Sequence, residues 1–234
     1  FRSDTELPSV SAVLKMCPVP FFLNKYIASG KKYEGLQMAA DLGTDTHTEV
    51  GKILEGGVYT PAPTARGILI GKMVDYAKSV IAGGKVVGFE VPMISTYFKF
   101  GGTPDMWAIH NETEMVLHDW KTNQKTKSSF KQLLKKYEAQ LGGYAILLQE
   151  HGIIVNHSFV HHLPDRNSYE VDITRGFENF HTLLSVYHGA EEAGVKLKDV
   201  IGMWNNGMSV VQIDKVLGIG AGTINSILNE CSIF

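Results

Sequence analysis

Gly102-Thr103-Pro104-Asp105 leads into the apolar segment Met106 to Ile109, and Leu117-His118-Asp119-Trp120-Lys121-Thr122 closes a second, Met115 to Trp120. This stretch decides the fold. An Asn111-Glu112 turn between the two segments predicts a β-hairpin. Side chains at i and i+2 of a strand share a face, so Asp119 and Lys121 project together and Asp105 joins them from the neighbouring strand. Alone, Asp105 beside Pro104 reads as a turn residue. Asp119 and Lys121 end an otherwise apolar strand, and charges are seldom placed at inward positions without a partner or a metal.

Two aspartates and a lysine suit phosphodiester hydrolysis. The nucleophile there is water, and negative charge grows on phosphate oxygens and on the leaving alkoxide. Hard carboxylate oxygens select Mg²⁺ or Mn²⁺, which lowers the pKa of bound water and neutralises the phosphate. Lys121 then orients or deprotonates that water.

Further segments follow in order: Leu7-Pro8-Ser9-Val10-Ser11 with Leu14-Lys15, Gly43-Thr44-Asp45-Thr46-His47, Glu90-Val91-Pro92, the hairpin acids and lysine, and Gln140 with Tyr144 at QxxxY spacing. The series resembles the motifs of the PD-(D/E)xK nuclease superfamily. It is most similar to the RecB-like exonucleases of the single-domain branch, phage-encoded or of the mitochondrial genome maintenance type, over roughly the first three quarters of the chain. Each motif is weak alone, and the order makes the set specific. The resemblance implies a restriction-endonuclease-like α/β core with a central mixed sheet flanked by helices. It implies Asp105, Asp119, the Trp120 carbonyl and His47 around the metal, with Glu90, Lys121, Gln140 and Tyr144 completing the catalytic set. The expected activity is exonucleolytic cleavage of DNA from an end, single-stranded for preference, in replication, repair or recombination. A structure-specific endonuclease with the same site is one alternative, and a DNA-binding regulatory module is another.

The chain has 234 residues with 22 Lys and Arg against 24 Asp and Glu, a net charge of -2. That length supports one large domain or a domain with an appendage. A near-neutral balance means that affinity for nucleic acid must come from local clustering. Lys125, Lys127, Lys131, Lys135 and Lys136 supply such a cluster just beyond Lys121, with Lys125, Lys127, Lys131 and Lys135 the expected DNA contacts. Trp107, Trp120, Tyr97 and Phe98 are expected mainly to pack the core, with base stacking as the alternative. No apolar run approaches bilayer length and Phe1 opens no signal pattern, so the expected location is cytoplasmic, which for a phage protein is the infected host cell. Cys17 and Cys231 lack CxxC spacing, which separates the chain from the four-cysteine iron–sulfur branch of RecB-like nucleases and argues against a disulfide. Of His157, His161 and His162, the first two share a strand face, but no cysteine or third ligand sits at suitable spacing, and no metal is expected there.

Short helices are expected between Val10 and about Leu36. Helices are predicted at Gly43 to Leu54 opened by Thr44, Thr64 to Ile81 capped by Thr64, Ser128 to Gln149 capped by Ser128 or Ser129, and Arg175 to Ala193. Predicted strands are Lys85 to Pro92, Thr96 to Gly101, Thr103 to Ile109, Met115 to Trp120, Gly152 to His162 and Ser168 to Thr174. Residues 1–194 thus read as the nuclease core with a helical entrance, and 195–234 as a helical, helix-turn-helix-like tail. Ser209 caps the tail's first helix, Gly218 turns the chain, and Thr223 opens the second. That second helix has no Arg or Lys, so a partner protein or closure of the core fits the tail better than DNA reading.

Overall fold

A computed structural model describes residues 7–18, 21–29, 36–122, 130–131, 133–192 and 194–232. The fold is mixed α/β. Helices α1 (Val10–Val13), α2 (Phe21–Ala28), α3 (Leu36–Leu54) and α4 (Ala65–Ile81) precede the strands β1 (Lys85–Phe89), β2 (Met93–Ser95), β3 (Phe100–Gly102), β4 (Met106–His110) and β5 (Glu114–Lys121). Then come α5 (Leu134–Glu150), β6 (His157–His162), β7 (Asn167–Glu170) and α6 (Ile173–Tyr187). A two-residue ladder, β8 (Glu191–Glu192) with β9 (Val195–Lys196), leads to α7 (Leu197–Asn205), α8 (Val210–Leu217) and α9 (Ala221–Glu230).

The central sheet runs β1-β4-β5-β6-β7 and is antiparallel except for the parallel pair β5–β6, which α5 connects. The predicted hairpin is its centre. Asn111 and Glu112 turn it with φ of 47° and 66°, a left-handed pair that matches the twist of the flanking strands. Strand alternation sends Trp107, Leu117 and Val160 to one face, where they pack with Leu141, Leu147 and Leu148 of α5 and Phe180, Leu183 and Leu184 of α6. Met106 and Trp120 go to the other, against Leu42 and Val50 of α3 and Met73, Val74 and Ala77 of α4. Helices α5 and α6 touch backbone to backbone: a Cβ on Gly142 would lie 2.1 Å from the Gly176 carbonyl carbon.

The tail has its own buried core of Val200, Ile201, Trp204, Ile213, Ile224, Ile227 and Leu228, joined by Val186 of α6. Asn24 Nδ2 donates to the carbonyls of Trp204 and Met208, and Asn205 Nδ2 to those of Lys15 and Cys17, tying the tail to the amino-terminal helices. Ser209 caps α8 in a reciprocal capping box with Gln212, and Gly218 ends it at φ 67°. No described helix is long and apolar enough to cross a membrane.

Several boundaries differ from expectation. Helix α3 begins at Leu36, so Thr44 lies inside it rather than capping it. Of the strand expected at Thr96 to Gly101, Thr96 to Lys99 is a turn and Phe100 and Gly101 enter β3, because β2 and β3 form a separate hairpin in which Ser95 Oγ caps the turn by accepting from Phe98 N. Strand β6 starts later than expected, at His157, and ends at His162 as read, β7 spans Asn167–Glu170, and α6 stops at Tyr187, where Gly189 turns the chain at φ 100°. Helix α9 starts at Ala221 after Gly220, ahead of Thr223. The Ser128 or Ser129 cap lies outside the described residues.

Candidate active site

Asp105 immediately precedes β4, one step beyond the cross-strand pair of Met106 and His118, and so stands across from Asp119 on the α5 side of the sheet. Asp105 Oδ2 accepts from Trp120 N at 2.7 Å, which pins this carboxylate against the end of β5. Asp119 is fully buried. Lys121 Nζ lies 2.5 Å from Asp119 Oδ2 as a charge contact, neither Asp119 oxygen has a hydrogen bond of normal geometry among the described residues, and Oδ1 faces no partner. Lys121 Nζ donates to Gln140 Oε1 at 3.0 Å, and Gln140 Nε2 donates to Tyr144 Oη at 3.0 Å. The QxxxY spacing on α5 therefore acts as an anchor for the lysine, since residues four apart share a helix face.

Tyr137 adds a contact that the sequence reading did not include. Its ring centre is 4.9 Å from Lys121 Nζ, one turn of α5 before Gln140. The signal was its place three residues ahead of Gln140, on the same stripe.

His47 of α3 bridges two acids. Its Nδ1 lies 2.9 Å from Glu90 Oε1 and its Nε2 4.0 Å from Asp105 Oδ2. Glu90 was expected within a strand but follows the end of β1 at φ 47°, a conformation costly for a residue with a side chain, and its N–H donates to Asp105 O at 2.9 Å. The strain is held by that bond and by the His47 contact.

Burial raises the Asp105 carboxyl to about 6 from an ordinary 3.8; the neighbouring Asp119 charge adds to the rise, and His47, Lys121 and the Trp120 N–H partly oppose it. Burial first, then the Asp119 and Asp105 charges, raise the Tyr144 hydroxyl, so it stays protonated and leaves its oxygen to accept from Gln140.

The donor set fits a hard divalent cation. Asp119 Oδ1 is buried with no hydrogen-bond partner, Asp105 lies beside it, and the Trp120 carbonyl is the backbone oxygen between Asp119 and Lys121. Buried carboxylate oxygens without donors call for a cation, and oxygen-only donors match Mg²⁺ or Mn²⁺. Among the described residues no three His, Cys, Asp or Glu side chains stand ready as a complete metal cage, so two carboxylates, a carbonyl and water would make up the shell.

Lys131 and Lys135 are exposed where α5 begins, while Lys125 and Lys127 lie outside the described residues. Trp107 and Trp120 are buried on opposite faces of the sheet, which removes both from base stacking. Tyr97 is 80% exposed on the β2–β3 turn, and Phe98 packs on its ring and on His181. Compared with known proteins, the chain matches no protein-family model and no curated protein sequence.

Proposed function

We propose that this chain is a metal-dependent deoxyribonuclease with a restriction-endonuclease-like PD-(D/E)xK core, working as an exonuclease on DNA ends, single-stranded ends first. The observation that carries the reading is the buried Asp119 beside Asp105, with Lys121 at 2.5 Å and its ammonium anchored by Gln140. A three-strand antiparallel run, β1-β4-β5, a helix, and a parallel fourth strand support the core assignment. The exonuclease assignment rests on the motif resemblance.

Asp105 and Asp119 would hold Mg²⁺ or Mn²⁺ with the Trp120 carbonyl. When bound, the ion supplies Lewis acidity, lowering the pKa of water and offsetting charge on the scissile phosphate. Lys121 Nζ, kept in place by Gln140 and the Tyr137 ring, orients the attacking water and stabilises charge growing on the phosphate oxygens. Tyr144 locks the Gln140 amide so that its oxygen faces the lysine. Glu90 and His47 fix the far side of Asp105. Exposed Lys131 and Lys135 offer phosphate contacts on the approach. A protein partner, rather than DNA, fits the tail, because α9 exposes Asn225, Asn229 and Glu230 and no cation.

The test is digestion of end-labelled linear single-stranded and duplex DNA, with closed circular DNA as control, in Mg²⁺ or Mn²⁺. Loss of linear substrate alone, abolished by Lys121→Ala, is the expected result. Cleavage of the closed circle shifts the assignment to an endonuclease, and DNA binding without metal-dependent cleavage overturns the enzyme.

A further inference from the structure

Glu90 and Asp105 extend the β1–β4 ladder by one step, since Phe89 pairs with Met106 and Glu90 N donates to Asp105 O at 2.9 Å. The chain between them, Val91 to Pro104, leaves the site and returns to it as an arm made of β2, a turn and β3. One face of this arm is packed. Met93 and Phe100 join the core under α5 and α6, the Phe100 and Phe180 ring centres lie 4.9 Å apart, and a Cβ on Gly102 would meet the Tyr144 ring at 3.0 Å. Alternation sends Ile94 to the other face, where Gly101 opposite has no side chain to cover it, and Ile94 is 56% exposed. Val91 at the root of the arm and Tyr97 at its tip are exposed as well.

The tip is held from three directions. Ser95 Oγ accepts from Phe98 N, His188 Nε2 donates to Phe98 O at 3.1 Å, and the Phe98 ring meets His181 of α6 edge to face. Tyr97 stands edge to face on Phe98 with ring centres 4.8 Å apart, and His181 lies parallel to Phe177, one turn earlier on α6, with planes 7° apart. Four rings thus run in contact from the arm along α6, and Tyr97, His181 and Phe177 are all exposed. Single exposed apolar residues are ordinary, whereas a contiguous row marks an interaction surface. Charge and position identify the occupant. Val91 to Pro104 contains no Asp or Glu and one lysine, Lys99, exposed two residues after Tyr97, and the neighbouring Glu150 carboxylate is engaged by Ser95 Oγ. Gly101 is four residues before Asp105, so the middle of the arm lies within about 14 Å of that carboxylate by chain length. Exposed rings bind nucleobases by their faces whatever the base, and only a single strand has such faces free.

We propose that the β2–β3 arm is a single-strand track: Tyr97 stacks on a base of the strand whose scissile phosphate lies at Asp105 and Asp119, Ile94 lies beneath the nucleotides between them, and Lys99 meets a phosphate. The inference rests on the nuclease reading and adds the residues that select single strands over duplex. The fixed turn presents the Tyr97 ring ready placed, so stacking on it orders little of the protein.

Fluorescence anisotropy of the full chain in EDTA, which separates binding from metal-dependent cleavage, tests this with a labelled mixed-sequence single strand, an abasic strand of equal length and a blunt duplex. Tyr97→Ala should weaken single-strand binding by about tenfold, while Tyr97→Phe keeps the parent's affinity. The abasic strand and the duplex should bind the parent and Tyr97→Ala alike. In Mg²⁺, Tyr97→Ala should raise KM for the linear single strand by a similar factor and leave kcat in place. Tyr97 is 80% exposed, so its replacement leaves the core packed. Equal affinity of parent and Tyr97→Ala for the single strand, or an equal loss on all three probes, overturns the track and leaves the ring row to a protein partner. Tyr97-dependent binding by a parent that cleaves no DNA in Mg²⁺ or Mn²⁺ supports the stacking surface and overturns the nuclease reading instead.

Discussion

Strand β5 carries two chemistries back to back. On the α5 side, Asp119 and Lys121 keep charge in a buried place, and on the α4 side His118 and Trp120 keep it out. Burial acts the same way on both faces, favouring the neutral form, and raises Asp105 while it lowers His118. The outcomes differ because of the partners. Asp119 has the Lys121 ammonium at 2.5 Å as an opposite charge. His118 has only other imidazoles and a phenol, so it gives up its proton and leaves a lone pair. One β-strand, through its period of two, thus presents hard anionic oxygens to one side and neutral nitrogen to the other.

The largest effect that would break this comparison is on cleavage. Asp119→Asn removes the charge that Lys121 and the ion share, and metal-dependent cleavage should fall by about a thousand-fold in a gel or fluorescence assay, in line with losing one preorganised transition-state contact. Unchanged cleavage would place the chemistry elsewhere. Next is coverage of the carboxylate face. Gly142→Ala would force a Cβ to within 2.1 Å of the Gly176 carbonyl carbon, parting α5 from α6, and should cost about 3 kcal/mol in denaturant unfolding. A neutral result would mean that the helix pair on this face is loosely held.

The smallest effect sharpens the electrostatics. The folded Asp105 carboxyl titrates at about 6 against 3.8 ordinarily, so the folded state binds this proton more tightly. Its contribution is fully present below about pH 4 and is lost as pH rises through about 6 in the metal-free protein. Urea unfolding in EDTA across this window measures it. In Asp119→Asn the fall should shrink, because the like charge that adds to the burial effect is gone.

Much of the site was legible as sequence. Asp105, Asp119 and Lys121 share a face by strand alternation, and Gln140 with Tyr144 by helical spacing, both local periodicities that survive any tertiary arrangement. Glu90 was legible as an acid but not as a strained one, since its φ of 47° depends on where Asp105 O and His47 lie after folding. Trp120, read as a core residue with base stacking as the alternative, is buried among α3 and α4. The imidazole array of His110, His118 and His161 cannot be read from spacing because its members come from β4, β5 and β6, and β6 alone shows two histidines on one face and no third ligand.

By itself the sequence determined what short-range physics controls: the hairpin turned at Asn111-Glu112, the Thr64 and Ser209 caps, the left-handed Gly218, and which side chains leave a strand together. Tertiary structure alone decided what each face then meets. The 2.9 Å contacts of His47 with Glu90 and of His118 with His161 join residues 43 positions apart, and their closeness depends on sheet order and helix packing, which are set by the burial of the whole core rather than by any one segment.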